Sequence, residues 1–173
     1  AQFWHPVSDA HDLLHAPKPV QVLGQDVVLW RDLQGKAQAL IDQCPHRGAR
    51  LSLGQVCQGA LQCPYHGWTF QGSGQCVKVP AMPDFTPSTA QQARAVAVQE
   101  AYGLVWVCLH TQTGSALTTT NQVLPPFAAE AQTQLRKLTA GPYEVATSAP
   151  RIVENFLDMA HFGFVHAGWL GDA

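Results

Sequence analysis

The sequence predicts a mainly β fold: an antiparallel domain over residues 1–110, then a shorter stretch of α+β character. Three observations predict it. Short apolar or alternating runs recur between turn signals built on Gly, Pro and Asp, the mark of strands joined by turns. Several of those turns carry glycine at hairpin positions. Beyond residue 126 the pattern changes: Ile152, Val153, Phe156 and Leu157 recur at a spacing near 3.6, the period of a helix. At 173 residues, the chain is one domain of ordinary size, or one with part of a second, and is long enough to bury a core.

In chain order, residues 7–15 have room for a helical turn with Ser8 as its cap. Runs 20–23 and 27–30 flank Gly24-Gln25-Asp26, a hairpin signal with three loop residues. Asp32-Leu33-Gln34-Gly35 turns the chain, and run 36–42 alternates straight into Cys44. Segments 51–54 and 59–62 read as a connection and a strand. Runs 68–70 and 75–79 flank Gly72-Ser73-Gly74, a further hairpin. Pro80, Pro83 and Pro87 break regular structure. Run 93–100 alternates, Gly103 turns, and run 104–109 is a continuous apolar strand of the doubly buried kind. Residues 111–125, rich in Thr, Ser, Gln and Gly, read as a linker closed by Pro125-Pro126. The last domain, 126–173, holds one strand at 143–147 and a helix at 150–161. Pro150 suits the helix start and Gly163 lies just past its last turn.

Charged residues are only 13%, against a usual ~25%, and net charge is −2. No basic patch argues for nucleic acid and no acidic run argues for a solvating tail. No run of 18 apolar residues and no secretory leader are visible. Of the five Cys, Cys57, Cys76 and Cys108 read as reduced, mostly buried small hydrophobes, which fits the cytoplasm.

The chemistry concentrates between Cys44 and Trp68. Cys44-Pro45-His46-Arg47-Gly48 and Cys63-Pro64-Tyr65-His66-Gly67-Trp68 are two short loops of matching design, each with Pro directly after its Cys. Each loop offers one thiolate and one imidazole. Two Cys on one iron and two His on the other is the ligand set of a Rieske [2Fe–2S] centre. A Cys₂His₂ zinc module is the structural alternative, for which Cys-x-His is unusually tight. Neither Pro donates a backbone N–H, so donors to the thiolates must come from following residues such as Arg47, Gly48, His66 and Gly67. His46 and His66 are expected to face solvent. Trp68 reads as core packing, with cover for the cluster as the sharper option.

A second constellation lies at Glu154 to His166. Asp158 and His161 are three apart and share a face of a helix. His166 joins them if the chain breaks near Gly163, so two imidazoles could converge on one metal. Non-haem Fe(II) oxygenases use two His and one carboxylate with positions left open. Glu154 sits about 10 Å along a helix axis from His161, at ~1.5 Å per residue, too far to share that metal.

Over nearly its whole length the chain resembles Rieske non-haem iron oxygenases of the ring-hydroxylating type. The resemblance rests on the two loops, on Phe3-Trp4-His5-Pro6-Val7 and Val28-Leu29-Trp30-Arg31-Asp32 before them, and on Gly72-Ser73-Gly74-Gln75-Cys76 and Tyr102-Gly103-Leu104-Val105-Trp106-Val107 after them. It extends to Asn155-x-x-Asp158-x-x-His161-x-x-x-x-His166. It implies a Rieske-type β domain with a cluster-binding subdomain, followed by a truncated start of the catalytic domain. Cys44, His46, Cys63 and His66 are then the [2Fe–2S] ligands. His161 and His166 hold a mononuclear Fe(II), with the third ligand, an Asp, coming from later chain. Asp158 is the catalytic carboxylate linking His161 to the His66 of a neighbouring subunit.

The implied activity is O₂-dependent hydroxylation or demethylation of an organic substrate. A ferredoxin or flavin-dependent reductase would donate the electrons, and the full-length form would be a homotrimer. The alternative is a stand-alone Rieske ferredoxin-like electron carrier. Neither loop has an extra Cys, and Phe70 stands where the respiratory type has a Tyr. Both features imply a low potential within the Rieske range of about −150 to +300 mV.

Overall fold

The computed structural model describes residues 3–14, 16–109, 123–124, 126–138, 140–141 and 143–171. The chain forms two compact units, Ala1–Gln132 and Thr133–Ala173. Most of the expected linker, 111–122 and 125, lies outside the described residues.

The first unit is antiparallel throughout, with ten strands in three sheets among the described residues. Strands β1 (His5–Asp9), β9 (Ala97–Ala101) and β10 (Leu104–Cys108) form one, in the order β1-β10-β9. Strands β2 (Lys18–Val22), β3 (Gln25–Arg31) and β4 (Ala37–Ile41) form the second. Strands β5 (Gln55–Cys57), β6 (Ala60–Gln62), β7 (Thr69–Phe70) and β8 (Cys76–Lys78) form the third.

Strand β3 explains how these sheets share a core. Its side chains alternate between two faces, as the two-residue repeat of a strand requires. Val28 and Trp30 join one buried cluster with Leu40, Leu51, Leu61, Phe70 and the thiols of Cys44 and Cys63. Val27 and Leu29 join the other with Leu13, Ala39, Ile41, Val105 and Val107. The middle sheet is therefore buried on both faces. The doubly buried strand is β3 rather than β10, where Leu104 and Trp106 remain half-buried. Trp30 keeps its indole satisfied by donating to the Gly59 carbonyl at 3.0 Å. Gly59 has φ +76°, and a Cβ there would meet the Leu33 nitrogen at 2.7 Å, so only glycine fits.

Several local expectations are corrected. Ser8 is inside β1, paired with β10, and donates to the Asp9 carbonyl rather than capping a helix. Of the helical turn expected at 7–15, the described residues show a turn at Asp9–Asp12, where the Asp12 N–H donates to the Asp9 carbonyl at 3.3 Å. The β2–β3 turn is two residues, Leu23 and Gly24, both at positive φ. That is the primed geometry favoured by hairpin twist, and it draws Gln25 and Asp26 into the ladder. The connection expected at 51–54 keeps that role, with Leu51–Leu53 as a 3₁₀ turn.

The second unit is helical where it is regular. Helix α1 (Ala149–Leu157) has Pro at its first turn, and α2 (Phe162–Val165) follows. No strand forms at 143–147, where no strand among the described residues supplies a ladder. Helix α1 ends at Leu157, four residues earlier than expected, and Gly163 lies within α2. No side chain is buried among the described residues of this unit, and Val153, Phe156, Leu157 and Trp169 are exposed. No helix among the described residues is long and apolar enough to cross a membrane.

Candidate metal centre

The two loops share one turn. In the first, Gly48 N–H donates to the Cys44 carbonyl at 2.9 Å, and Cys44 N–H donates to the Ala49 carbonyl at 2.8 Å. In the second, Gly67 N–H donates to the Cys63 carbonyl at 3.2 Å, and Cys63 N–H donates to the Trp68 carbonyl at 2.8 Å. Each turn closes through a left-handed glycine, at φ +74° for Gly48 and +70° for Gly67. The local pattern Cys-Pro-x-x-Gly thus dictates the turn in both loops.

The turn sorts the side chains. Cys44 and Cys63 point into the core, 2% and 3% exposed. His46 and His66 are exposed, as expected, and their ring centroids lie 4.7 Å apart. Trp68 is half-buried and stacks on His46, with centroids 4.6 Å apart and planes at 1°. Packing alone therefore does not describe Trp68; it also holds one face of His46. Tyr65 lies against His66, with centroids 3.9 Å apart.

Electrostatics agree with this sorting. Burial pushes the Cys44 thiol up to about 11, with the neighbouring Cys63 thiol adding to the rise; backbone N–H groups of His46 and Arg47 act against it. A bound cation removes that penalty by taking the thiolate's charge. Arg47 was among the expected backbone donors and His46 was not. The Gly48 and Gly67 N–H groups instead serve the turn carbonyls. Loss of water contact, then the charge of His66 and Arg47, holds the His46 imidazole below its ordinary value. Neutral imidazole is the form that ligates metal. Two buried thiols and two adjacent imidazoles are a donor set that fits a [2Fe–2S] cluster with a sulfur side and a nitrogen side. Among the described residues, no three His, Cys, Asp or Glu side chains form a group that could hold a single ion.

The second constellation also assembles, though not on a helix face. Asp158 caps the C-terminus of α1 and accepts the Ala160 N–H at 2.8 Å, which turns the chain. Asp158 Oδ2 comes within 3.3 Å of His161 Nδ1. That approach is not aligned for a hydrogen bond, so His161 Nδ1 is buried without a hydrogen-bond partner among the described residues. The His161 and His166 rings lie 5.4 Å apart by centroid. The Ala160 N–H, then the His161 imidazole, holds the Asp158 carboxyl below the usual carboxylate range. Asn155 is on α1 and exposed.

Sequence reading missed the supports of the first loop. Asp42 is buried and accepts from Ser52 N–H at 2.7 Å and Ser52 Oγ–H at 2.6 Å. Its only sequence signal was an acidic residue directly after the apolar Ala39-Leu40-Ile41.

Comparison with known proteins agrees with this geometry. Residues 3–92 match the Rieske [2Fe-2S] domain family, and the chain belongs to it. Its relatives place it among the Rieske oxygenases. A methylxanthine N1-demethylase of Pseudomonas putida is 37% identical over 98% of this chain and 48% of its own length. A 3-chlorobenzoate-3,4-dioxygenase oxygenase subunit of Comamonas testosteroni is 30% identical over 98% of this chain and 38% of its own. The solved structure of Pseudomonas putida CBB5 NdmA has a TM-score of 0.85 at 35% identity, covering 96% of this chain and 50% of that one. The chain spans about half the length of the demethylases it matches.

Proposed function

We propose that the chain is the Rieske-bearing part of an iron-dependent oxygenase, with Cys44, His46, Cys63 and His66 as the ligands of its [2Fe–2S] cluster. The observation that carries this is the paired turn, which buries two thiols and presents two imidazoles side by side. When bound, such a cluster supplies a one-electron store. The His46 and Arg47 N–H groups aimed at Cys44 favour added negative charge there. The exposed edges of His46 and His66 are where a redox partner can approach. Phe70 is fully buried and brings no hydroxyl to the thiols, in keeping with a potential low in the Rieske range.

In this reading residues 126–173 begin a catalytic domain, and His161 and His166 hold a mononuclear Fe(II). The buried, unpartnered Nδ1 of His161 supports a ligand role, with Asp158 Oδ2 3.3 Å away. The reaction is O₂-dependent hydroxylation or demethylation of an organic substrate. Demethylases and a dioxygenase subunit among the relatives support that range. A ferredoxin or reductase would supply electrons, and an oxidoreductase from Pseudomonas putida is among the relatives. The absence of a disulfide among the five Cys supports a reducing compartment such as the cytoplasm. The second reading, a stand-alone electron carrier, is favoured by one fact: all four cluster residues lie in the first compact unit.

Electron paramagnetic resonance of the dithionite-reduced protein tests the cluster. A rhombic S = 1/2 signal of the His-ligated kind is expected, with two irons per chain by metal analysis. Zinc alone would overturn it. Product formation with O₂ and reductant decides between oxygenase and carrier.

A further inference from the structure

The two ligand loops share a turn but stand on different stems. Loop 2 is the bend of a hairpin. Beyond the Cys63–Trp68 bond, Gln62 pairs with Thr69 and Leu61 with Phe70 in the β6–β7 ladder. Loop 1 has no such ladder. It leaves β4 at Ile41 and ends in the 3₁₀ turn Leu51–Leu53, and these elements do not pair as strands. Opposite Ser52, where a ladder would place a backbone carbonyl, stands the carboxyl of Asp42. It accepts the Ser52 N–H at 2.7 Å and the Ser52 hydroxyl at 2.6 Å, with its side chain 0% exposed.

Both ends of this clamp are tied down. The Asp42 N–H donates to the Asp26 carbonyl at 3.1 Å, and Ile41 N–H donates to the Arg94 carbonyl at 2.9 Å. Arg50 Nε approaches Asp42 Oδ2 at 3.3 Å, while its other end reaches Asp26 Oδ2 at 2.8 Å. Leu51 is buried in the same core as the two thiols. At the matching position of loop 2, two residues before its Cys, stands the apolar Leu61. A buried carboxyl group is a poor source of bulk stability, because desolvation offsets its attractions. Two bonds from one carboxyl to one serine fix both the distance and the rotation of the segment leaving the loop. That segment leads back to the turn that carries Cys44 and His46.

We propose that Asp42 is a positioning residue for the cluster: its carboxyl replaces the missing strand ladder under loop 1, and through Ser52 it fixes the loop that carries Cys44 and His46. This rests on the reading of Cys44, His46, Cys63 and His66 as cluster ligands.

The test uses the iron-loaded protein and four variants: D42A, D42N, S52A and, as a control outside both loops, E100Q. Three quantities are measured for each: the lifetime of the visible absorbance against a chelator, the shape of the reduced paramagnetic signal, and the thermal midpoint. D42A is expected to lose the cluster about tenfold faster than wild type, as removal of an outer-shell partner does. D42N, which keeps an acceptor for the Ser52 N–H, is expected to recover part of that loss, and S52A to show a smaller loss. All three should shift the signal shape, and E100Q should lower the thermal midpoint with lifetime and shape unchanged. If D42N and S52A keep the wild-type lifetime and shape, the inference is overturned while the cluster reading stands. If lifetimes follow the thermal midpoint alone, E100Q included, the role is structural and the inference is again overturned. A wild-type chain that takes up no [2Fe–2S] cluster overturns the ligand reading and the inference with it.

Discussion

Residues 42–52 and 61–70 carry the same five-residue turn, with Gly48 at φ +74° and Gly67 at φ +70°, yet only the second stands on a ladder of paired strands. The turn is a local matter: Cys, Pro and a glycine four residues after the Cys suffice to write it twice. The stem is not local, and the two loops solve it with different chemistry, a side-chain clamp in one and backbone pairing in the other. Ligand geometry can thus be held constant while its supports differ. The two loops should then respond alike to loss of a ligand and differently to loss of a support.

The largest effect tests the likeness. C44S and C63S should each abolish the rhombic signal and the visible absorbance, because an alcohol is a poor substitute for a soft thiolate on iron. Both thiols are equally buried, so neither has water to replace the lost ligand. A signal surviving in one variant would break the equivalence of the loops at its root.

Glycine sharpens the difference. Placing an L side chain in left-handed backbone costs about 1–2 kcal/mol, so G48A and G67A should both destabilise. A Cβ on Gly48 meets nothing closer than a Gln43 side-chain nitrogen at 3.5 Å, whereas on Gly67 it meets Pro80 Cγ at 3.0 Å. G67A should therefore be the more destabilising in urea unfolding, and P80A should recover the excess in the double variant. Equal losses would mean that Pro80 yields freely and that loop 2 is no more tightly seated than loop 1.

How much of this was legible follows the same division between local and distant causes. The loops, their exposed imidazoles and most strands were readable, because each depends on a short pattern; the burial of Cys44 and Cys63 was seen only in the fold. The two-residue turn at Leu23 and Gly24 was misread because Gln25 and Asp26 look like turn residues; only their pairing with Val22 and Gln21 makes them strand. The strand expected at 143–147 failed for the complementary reason: no strand among the described residues pairs with it. Asp158, His161 and His166 do come together, but through a turn just past the end of α1, where the Asp158 side chain accepts the Ala160 N–H, not through a shared helix face. Asp42 could not be found at all, since its meaning lies in Ser52, ten residues away across a loop.

The smallest effect comes from a pair that serves neither loop. Arg31 on β3 donates to both oxygens of Glu100 on β9, at 2.8 and 2.9 Å, and also to the carbonyls of Leu13 and Ala10 at 2.7 and 2.8 Å. The Arg31 hydrogen bond, first among several causes, holds the Glu100 carboxyl below its ordinary value of 4.5. A lowered value means that the folded state favours the ionised form. The contribution is therefore full above the unfolded value and is lost as pH falls through the folded one. With the Glu100 side chain 34% exposed, solvent screening limits the pair to about 1 kcal/mol. Urea unfolding of wild type and E100Q should differ by about that much at neutral pH, and the difference should shrink below about pH 4.5, where the neutral acid and the amide become alike. A difference that does not change with pH would assign the effect to packing. Either way this pair gives the baseline for the loops: it changes stability without touching Cys44 or Cys63, so cluster lifetime that moves with Asp42 and not with Glu100 belongs to the clamp.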